Sequence, residues 1–160
     1  MSIEQRLRDL GLVLPQPLQL PAGITLPFAF VRVVGNRALV SGHGPQQPDG
    51  SIAGPLGKLG LDLDVEQGYQ AARLTALAVL ASLQRRLGSL DRVACWVRAF
   101  GMVNSAPGFT QQSAVMNGFS ELIVELYGAQ RGEHARSAVG MNALPFDFPI
   151  EVEAEILLDI

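Results

Sequence analysis

The longest periodic pattern in this chain lies between Asp64 and Gly88. Apolar residues recur there every three or four positions, so the segment predicts an amphipathic helix with an aspartate cap and a glycine stop. Such a helix is roughly 35 Å long at about 1.5 Å per residue, and its apolar stripe needs a second layer to cover it. The stripe consists of Val65, Tyr69, Ala72, Ala76, Leu80, Leu83 and Leu87.

Strand patterns lie on both sides of this helix. The segments FAFVRVV and ALVSGHG, separated by Gly35, Asn36 and Arg37, predict a β-hairpin of two largely buried strands. The segment RVACWVRAFGMV follows the helix and alternates along its length, which predicts another strand. We expect Cys95 to be a core residue because it belongs to an apolar face. That face carries Val93, Cys95, Val97 and Ala99.

A second helix and two closing strands complete the predicted order. The helix extends from about Thr110 to Tyr127 and is stopped by Gly128. Two short strands around a Leu-Pro break follow within residues 134–156. Two long helices cannot easily cover both faces of a sheet with five or six strands, so we expect an α+β fold with both helices on one face. The other face then needs a partner, and homo-oligomerisation is the economical solution.

The N-terminal residues 1–26 differ from the rest of the chain. Ser2 and Gln5 are spaced as in a capping box, and Gly11 ends the short helix that they predict. The segment LVLPQPLQLPAG holds three prolines, which favours an extended connector on the surface. The charged start of the chain lacks the apolar run of a signal peptide or a membrane span, so we expect a cytoplasmic location. No internal linker divides the chain, and residues 1–160 are predicted to form one domain.

Composition restricts the classes of partner. Hydrophobic residues make up 48% of the chain, charged residues make up 17%, and the net charge is −3. This is a globular composition without the basic excess that nucleic-acid binding requires. Cys95 is the single cysteine, and His43 and His134 are the only histidines, none with a second ligand at metal-binding spacing. We therefore expect no zinc site, no cofactor, no nucleic acid and no membrane contact, and a solvated His134.

Arg136 is the candidate ligand-binding cation. Strand alternation places it on one face with Ala138 and Gly140, so small neighbours leave space around a guanidinium whose fork of donors matches a carboxylate. A row of carboxylates on the last strand must be solvated, paired or used. In the alternative interpretation, Arg136 merely forms an ion pair with one of them on an exposed sheet face. The row consists of Glu151, Glu153 and Glu155.

The separation of Arg136 from Glu151 bears on this choice. In a hairpin centred near Phe146, Arg136 faces about Ile156, and Glu151 lies roughly 13–16 Å away along the strand at about 3.3 Å per residue. One hairpin then cannot bring both groups to one small ligand. If both serve one pocket, we expect them to come from different chains.

Two weaker signals remain. The segment from Ser41 to Gly44 ends a strand, and its glycines let backbone N–H groups approach an anion, although a plain tight turn is the simpler interpretation. Asn117 is a poor helix former inside the second helix, where a local hydrogen bond is the common role and a ligand contact the rarer one.

Several motifs together resemble the Rid family of reactive-intermediate deaminases, also called the YjgF family and often labelled endoribonuclease L-PSP. The long middle segments and the N-terminal helix are similar to its larger, YjgF/chorismate-mutase-like subgroup. The last motif below is the most specific. From about Pro27 onward, the motifs are GNRALVSGHGP, EQGYQAARLTALAVLASL, GSLDRV, VNSAPGF, VMNGFSELIVELYG and ARSAVGMNALPFDFPIEVEAE.

This resemblance implies a chorismate-mutase-like fold, assembled as a homotrimer with ligand sites in the clefts between subunits. It also implies hydrolysis of reactive 2-imino acids to 2-keto acids and ammonia, with a small carboxylate-bearing substrate. The carboxylate-binding arginine corresponds to Arg136, and the acidic residue beside the attacking water corresponds to Glu151. The serine-glycine pair near the pocket corresponds to Ser41 and Gly42, and the helix asparagine to Asn117.

The chain departs from the family pattern at two pocket positions. Phe28 stands where active members often carry a tyrosine, so a hydroxyl for ligand or water is missing. Ala138 stands where they often carry a cysteine, which matters less because the backbone carbonyl is kept. The missing phenol leaves a second function open, a non-catalytic protein that binds or senses a small carboxylate. Ribonuclease activity is disfavoured by the net charge, and chorismate mutase activity by the lack of a second cation beside Arg136.

Overall fold

The computed structural model describes residues 1–159, which form four helices and five strands. The order predicted from the sequence is confirmed. The patterns do not predict the short helix α4 or the 3-10 turns Leu90–Arg92 and Pro145–Asp147. The elements are α1 (Ile3–Asp9), β1 (Val31–Val34), β2 (Arg37–His43), α2 (Val65–Leu87), β3 (Val93–Asn104), α3 (Gln112–Tyr127), α4 (Ala129–Gly132), β4 (Ala135–Met141) and β5 (Ile150–Leu158).

Local hydrogen bonds define the ends of the long helix α2. The Asp64 carboxylate accepts from the Gln67 N–H at 2.8 Å, and the Gln67 side chain accepts from the Asp64 N–H at 3.0 Å. This reciprocal capping box satisfies two donors that a helix start leaves free. Gly88, with φ of 84°, ends the helix. The predicted span of α2 is therefore confirmed. Five of the seven stripe residues, from Ala72 to Leu87, are buried, and Val65 and Tyr69 are half-buried.

The sheet has the strand order β1-β2-β5-β3-β4. Strand β4 pairs parallel to β3, whereas the other neighbours are antiparallel. The two closing strands therefore do not form a hairpin with each other, and the expected pairing of Arg136 near Ile156 is wrong: Arg136 lies opposite Ala99. Every second residue of β5 is buried, from Ile150 to Leu158, which suits a central strand, while the half-exposed β4 occupies an edge.

Helices α2 and α3 pack against each other on one face of this mixed sheet, as predicted. Large buried side chains such as Leu80, Trp96 and Phe119 fill the layer between helices and sheet. We call the other side of the sheet the open face. Its side chains come from Arg32 and Val34 of β1, Arg37 and Leu39 of β2, Arg98, Phe100 and Met102 of β3, Ser137 and Val139 of β4, and Glu151, Glu153 and Glu155 of β5.

Irregular pairing in β3 corrects the prediction for Cys95. The register between β3 and β5 shifts twice, between Val93 and Cys95 and again between Trp96 and Arg98. Each shift adds a residue to β3 and reverses the alternation of faces. Cys95 therefore lies opposite Leu157 and is only half-buried, and Trp96 occupies the core position instead.

The first hairpin is buried on one side only. Arg32 and Val34 of β1 and Arg37 and Leu39 of β2 are exposed on the open face, so the expectation of two largely buried strands is wrong. The reason is that the helices cover a single face of the sheet.

The connector between α1 and β1 crosses the surface without regular secondary structure, as predicted. Backbone bonds from Gln16 to Pro48 and from Gln19 to Gly50, both 3.0 Å, hold it against the loop after β2. Within residues 1–159, none of the helices has the length and apolar character needed to cross a membrane.

Gly118 permits the close crossing of α2 and α3. A Cβ at this position would overlap the Tyr69 carbonyl oxygen, which is backbone and cannot rotate away. We expect Gly118→Ala to lower the free energy of unfolding by about 3 kcal/mol, measured by denaturant titration. The control Ser113→Ala, at an exposed position of α3, should change it by less than about 0.5 kcal/mol. Equal stability of Gly118→Ala and wild type would contradict the close crossing.

Candidate functional site

The first candidate group, the arginine cluster, consists of Arg136 on β4 and the α3 residues that bond it. The guanidinium donates to Asn117 Oδ1 at 2.7 Å, to Ser120 Oγ at 3.0 Å and to the Ser113 carbonyl at 3.3 Å. These three bonds leave two of the five N–H donors of an arginine without a partner within residues 1–159. The cation is thus fixed in place and keeps donors for a ligand.

Small residues around Arg136 make this placement possible. Arg136, Ala138 and Gly140 share the helix-covered face of β4, as the alternation predicts, and lie opposite Ala99, Gly101 and Val103. Ala138 is half-buried against the core and offers only its backbone to a ligand. The alternative in which Arg136 pairs with a glutamate of β5 is wrong, because those glutamates lie on the open face.

His134 supports the arginine cluster from behind. Its Nδ1 lies 2.7 Å from the Gly132 carbonyl, so Nδ1 carries the proton and Nε2 accepts from Ser120 Oγ at 3.0 Å. Burial lowers the pKa of His134, and the charge of Arg136 lowers it further. The expectation of a solvated His134 is therefore wrong, since its ring packs between Trp96 and Phe119.

The second group centres on Glu151 at the start of β5. A Cβ on Gly42 would overlap the Glu151 carboxylate, so only glycine allows this approach of β2. The β2–β5 register shifts between Val40 and His43, which places Ser41 and Gly42 in a bulge beside Glu151. Burial raises the pKa of Glu151, and the neighbouring charge of Glu153 raises it further.

His43 holds this bulge from the helix-covered side. Its Nδ1 donates to the Ser41 carbonyl at 2.6 Å, and its Nε2 accepts from Ser82 Oγ at 2.8 Å. Arg85 donates to the same hydroxyl at 3.1 Å. The Ser41 hydroxyl bonds the Ala29 carbonyl at 2.8 Å, so its structural role is to tie β2 to the segment before β1.

A cavity of about 240 Å³ opens beside Glu151, and we call it the glutamate pocket. Phe28 lines it from the segment before β1, where its ring is 52% exposed. Almost all of the wall is apolar, with contributions from the connector and from the turn that leads into β5. The main apolar side chains are Leu18, Leu20, Leu26, Phe28, Phe146 and Phe148.

The turn that presents Phe146 is strained. Phe146 and Asp147 have φ of 56° and 58°, a left-handed conformation that costs an ordinary residue about 1–2 kcal/mol. Asn104 donates to the Asp147 carboxylate at 3.0 Å and accepts from Lys58 at 2.7 Å, while Gly57 donates to the Asp147 carbonyl at 2.9 Å. These bonds hold an exposed aromatic ring at the mouth of the pocket.

The two groups do not meet within one chain. Arg136 is level with Ala99 and Ala154 across the sheet, whereas Glu151 lies three residues before Ala154, near the start of β5. Arg136 also projects towards α3, and Glu151 projects from the open face. Asn117 belongs with Arg136, whereas Phe28, Ser41 and Gly42 belong with Glu151.

No group of three or more His, Cys, Asp or Glu side chains within residues 1–159 is arranged to hold a metal ion. The polar groups of both sites are instead an arginine, an amide, hydroxyls and a carboxylate. Such groups recognise a small anion and handle protons.

Residues 4–151 match the family described as "YjgF/chorismate mutase-like, putative endoribonuclease". The chain belongs to this family. Membership supports a small-molecule-processing or endoribonuclease-like role, and the fold is the one predicted from the sequence motifs.

Individual relatives agree with this family placement. The chain is 42% identical to Protein TCP17 of Trypanosoma cruzi over 145 residues, which cover 89% of each protein. The structure of Atu1372 from Agrobacterium tumefaciens matches with a TM-score of 0.88 and 36% identity, over 99% of this chain and 94% of that one. The Escherichia coli YjgF gene product shares the fold, with a TM-score of 0.60 and 21% identity over 91% of this chain and 97% of that one.

Sequence reasoning misses several residues of the two candidate groups. Ser120 lies three residues after Asn117, so the two polar side chains share one face of α3, and this spacing is a signal that could identify Ser120. Ser113 contributes only its backbone carbonyl, for which the side-chain pattern gives no signal. Phe146 and Phe148 carry no such signal, because their position depends on a turn whose left-handed backbone a phenylalanine rarely adopts.

His43 makes the stability of the protein depend on pH. Burial lowers its pKa to about 4, from an ordinary value of about 6.5. Because the pKa is lower in the folded protein, neutral His43 contributes roughly 3 kcal/mol to the free energy of unfolding. This contribution is complete above about pH 6.5 and is lost as the pH falls towards 4. The difference in unfolding free energy between wild type and His43→Gln should therefore change by roughly that amount between these pH values. Chemical denaturation at a series of pH values measures it, and parallel pH profiles for the two proteins would contradict a buried neutral His43.

Proposed function

We propose that this protein is a deaminase that hydrolyses reactive 2-imino acids to 2-keto acids and ammonia. The observation that carries the proposal is the arginine cluster, in which Arg136 is fixed by α3 and keeps free donors, on a chain that also holds a half-buried Glu151. The two groups form one site in a cleft between neighbouring subunits of a homotrimer.

Arg136 binds the substrate carboxylate. A guanidinium held by three bonds loses little side-chain entropy on binding, and its remaining donors match carboxylate oxygens. The backbone N–H at Gly42 of the neighbouring subunit assists at the other side of the cleft. The backbone carbonyl of Ala138, two residues after Arg136 on β4, accepts the N–H of the imine.

Glu151 activates the water. It takes a proton from water as the water oxygen bonds to C2 of the protonated imine and the C=N π electrons move to nitrogen. Glu151 then returns this proton to the amine nitrogen of the carbinolamine. The C–N bond breaks as the hydroxyl proton leaves with the nitrogen, which gives the 2-keto acid and an ammonium ion. A raised pKa makes the carboxylate a stronger base. A positioned general base commonly accelerates a reaction by about 10²–10⁴-fold. Turnover therefore falls as the pH drops through the pKa of Glu151, because the protonated carboxyl can no longer accept the proton.

The open face is the surface through which the subunits assemble. Val34, Leu39 and Val139 expose 55%, 41% and 37% of their surface on this face. Exposed apolar side chains that share one face are typical of a surface that binds another protein. Arg37 and Glu155 already pair on this face at 2.8 Å, so the nearby charges are partly balanced. A threefold arrangement places the arginine edge of one subunit against the glutamate side of the next.

Removal of the arginine tests the chemistry. Arg136→Ala should lower kcat/KM for 2-imino acids by about 100-fold or more, because charge-assisted hydrogen bonds of about 1.5–3 kcal/mol each are lost. The imines are made with an amino-acid oxidase, and semicarbazide traps the survivors. Arg86→Ala, at an exposed position on α2, is the matched control and should retain wild-type turnover. Imine loss that is no faster with wild type than without protein, or equal for wild type and Arg136→Ala, rejects the proposal.

Mixed trimers test the shared site. Arg136→Ala and Glu151→Gln are each expected to be inactive alone. Co-expressed in equal amounts, they should recover about a quarter of wild-type activity, since that share of the head-to-tail interfaces joins an intact Arg136 to an intact Glu151. Mass spectrometry of the intact assemblies measures the mixing. Mixed trimers without recovered activity would show that the two residues do not serve one intersubunit site.

A non-catalytic binding protein is the second candidate. The observation that favours it is Phe28, which lines the glutamate pocket and offers no hydroxyl to ligand or water. Thermal stabilisation by 2-keto acids without imine turnover would support this role. Ribonuclease action is disfavoured because the glutamate row on the open face repels phosphates.

A further inference from the structure

The glutamate pocket suggests which substrates the protein takes. Its only carboxylate is Glu151, and the rest of the wall consists mainly of leucine, isoleucine and phenylalanine side chains. A volume of about 240 Å³ is below the range of about 300–1,000 Å³ that holds drug-sized ligands, so the pocket suits one side chain and not an extended molecule.

We propose that the glutamate pocket binds the side chain of a 2-imino acid derived from a large apolar amino acid, aromatic or branched. This inference rests on the proposed function and deepens it. With C2 beside Glu151 and the carboxylate on the arginine of the neighbouring subunit, the remaining substituent of C2 points into the apolar cavity.

Two elements build the pocket in addition to the sheet. The connector supplies Leu18, Leu20 and Leu26, and it is fixed to the loop after β2 by the backbone bonds of Gln16 and Gln19. The connector is therefore a fixed part of the pocket lining.

Phe146 supplies the opposite wall. Its left-handed backbone is maintained by the bonds from Asn104 and Gly57 to Asp147, and the residue stays 44% exposed. A strained turn that keeps an aromatic ring beside a candidate base is expected where the ring contacts a ligand.

The wall also disfavours charged side chains. A carboxylate of the substrate in this cavity would meet Glu151, the amide of Gln46 and the ring of His43, and apolar groups elsewhere. Burial lowers the pKa of His43 to about 4, so this ring is neutral near pH 7 and supplies no cation. Imines derived from aspartate or glutamate should therefore be poor substrates, and the imine derived from alanine should leave most of the cavity unfilled.

A side-chain series tests the inference. Imines made from alanine, valine, leucine, phenylalanine and glutamate are compared by kcat/KM in the semicarbazide assay. Each buried methylene should raise kcat/KM by about fourfold, so the leucine-derived imine should exceed the alanine-derived one by roughly 50-fold. Glutamate-derived imine should fall below the leucine-derived imine.

Variants locate the preference in the pocket. Phe146→Gly removes the ring and relieves the strained backbone, and Leu20→Ala shortens the opposite wall. Each should reduce the ratio of leucine-derived to alanine-derived kcat/KM by at least about fivefold, as expected for several lost methylene contacts. Leu61→Ala is the matched control, because Leu61 is 72% exposed and lies outside the pocket wall. Its ratio should equal that of wild type.

Binding measurements separate this inference from the proposed function. Calorimetry with pyruvate, 4-methyl-2-oxopentanoate and phenylpyruvate should show affinity that rises with the apolar side chain. Equal kcat/KM for alanine- and leucine-derived imines would overturn the pocket assignment and leave the proposed function intact. If no imine is hydrolysed, the proposed function fails, and the keto-acid series decides alone: rising affinity supports the pocket, and a flat series overturns it.

Discussion

The pleat of the sheet determines which side chains of this protein can meet one ligand. Successive residues of a strand project to opposite faces, so Glu151 projects from the open face while Arg136 projects towards α3. A change of rotamer cannot carry either group through a layer of hydrogen-bonded backbone. A ligand that touches both must therefore bridge two chains. The exposed Val34, Leu39 and Val139 make the open face the surface available for that contact.

The same arrangement of three side chains occurs beside Arg136 and beside the bulge of β2. In each, an arginine donates to a serine, the serine donates to a histidine, and the histidine donates to the carbonyl two residues before it. Burial lowers the pKa of both histidines, so they stay neutral near pH 7 and the arginine is the only cation of its series. Fixed partners of this kind reduce the entropy lost when a ligand binds. The two series are Arg136, Ser120 and His134, and Arg85, Ser82 and His43.

Periodicity in the sequence predicts the elements but not their neighbours. The helical period located α2 within a residue, and the strand period placed Arg136 and Glu151 on the correct faces of their own strands. Strand order depends on contacts between distant segments, and β3 lies between β5 and β4 in place of the expected hairpin. The face of Cys95 depends on two bulges that leave no mark in the alternation. The sequence predicts a solvated His134, whereas the ring is packed and bonded, because its partners Ser120 and Trp96 come from other segments of the chain.

The phenylalanine at position 28 and the raised pKa of Glu151 belong to one environment. A tyrosine there would place a hydroxyl in the pocket, and a hydrogen bond from it to the carboxylate would stabilise the charge and lower the pKa. Phe28 instead extends the apolar wall around Glu151. For the proposed hydrolysis, phenylalanine in place of tyrosine at position 28 removes a hydroxyl that could orient water, and it keeps Glu151 a stronger base. Protonated imines are already electrophilic, so base strength compensates for lost orientation more readily here than in the hydrolysis of an unactivated bond. The same apolar wall that strengthens the base then favours a substrate whose side chain is apolar.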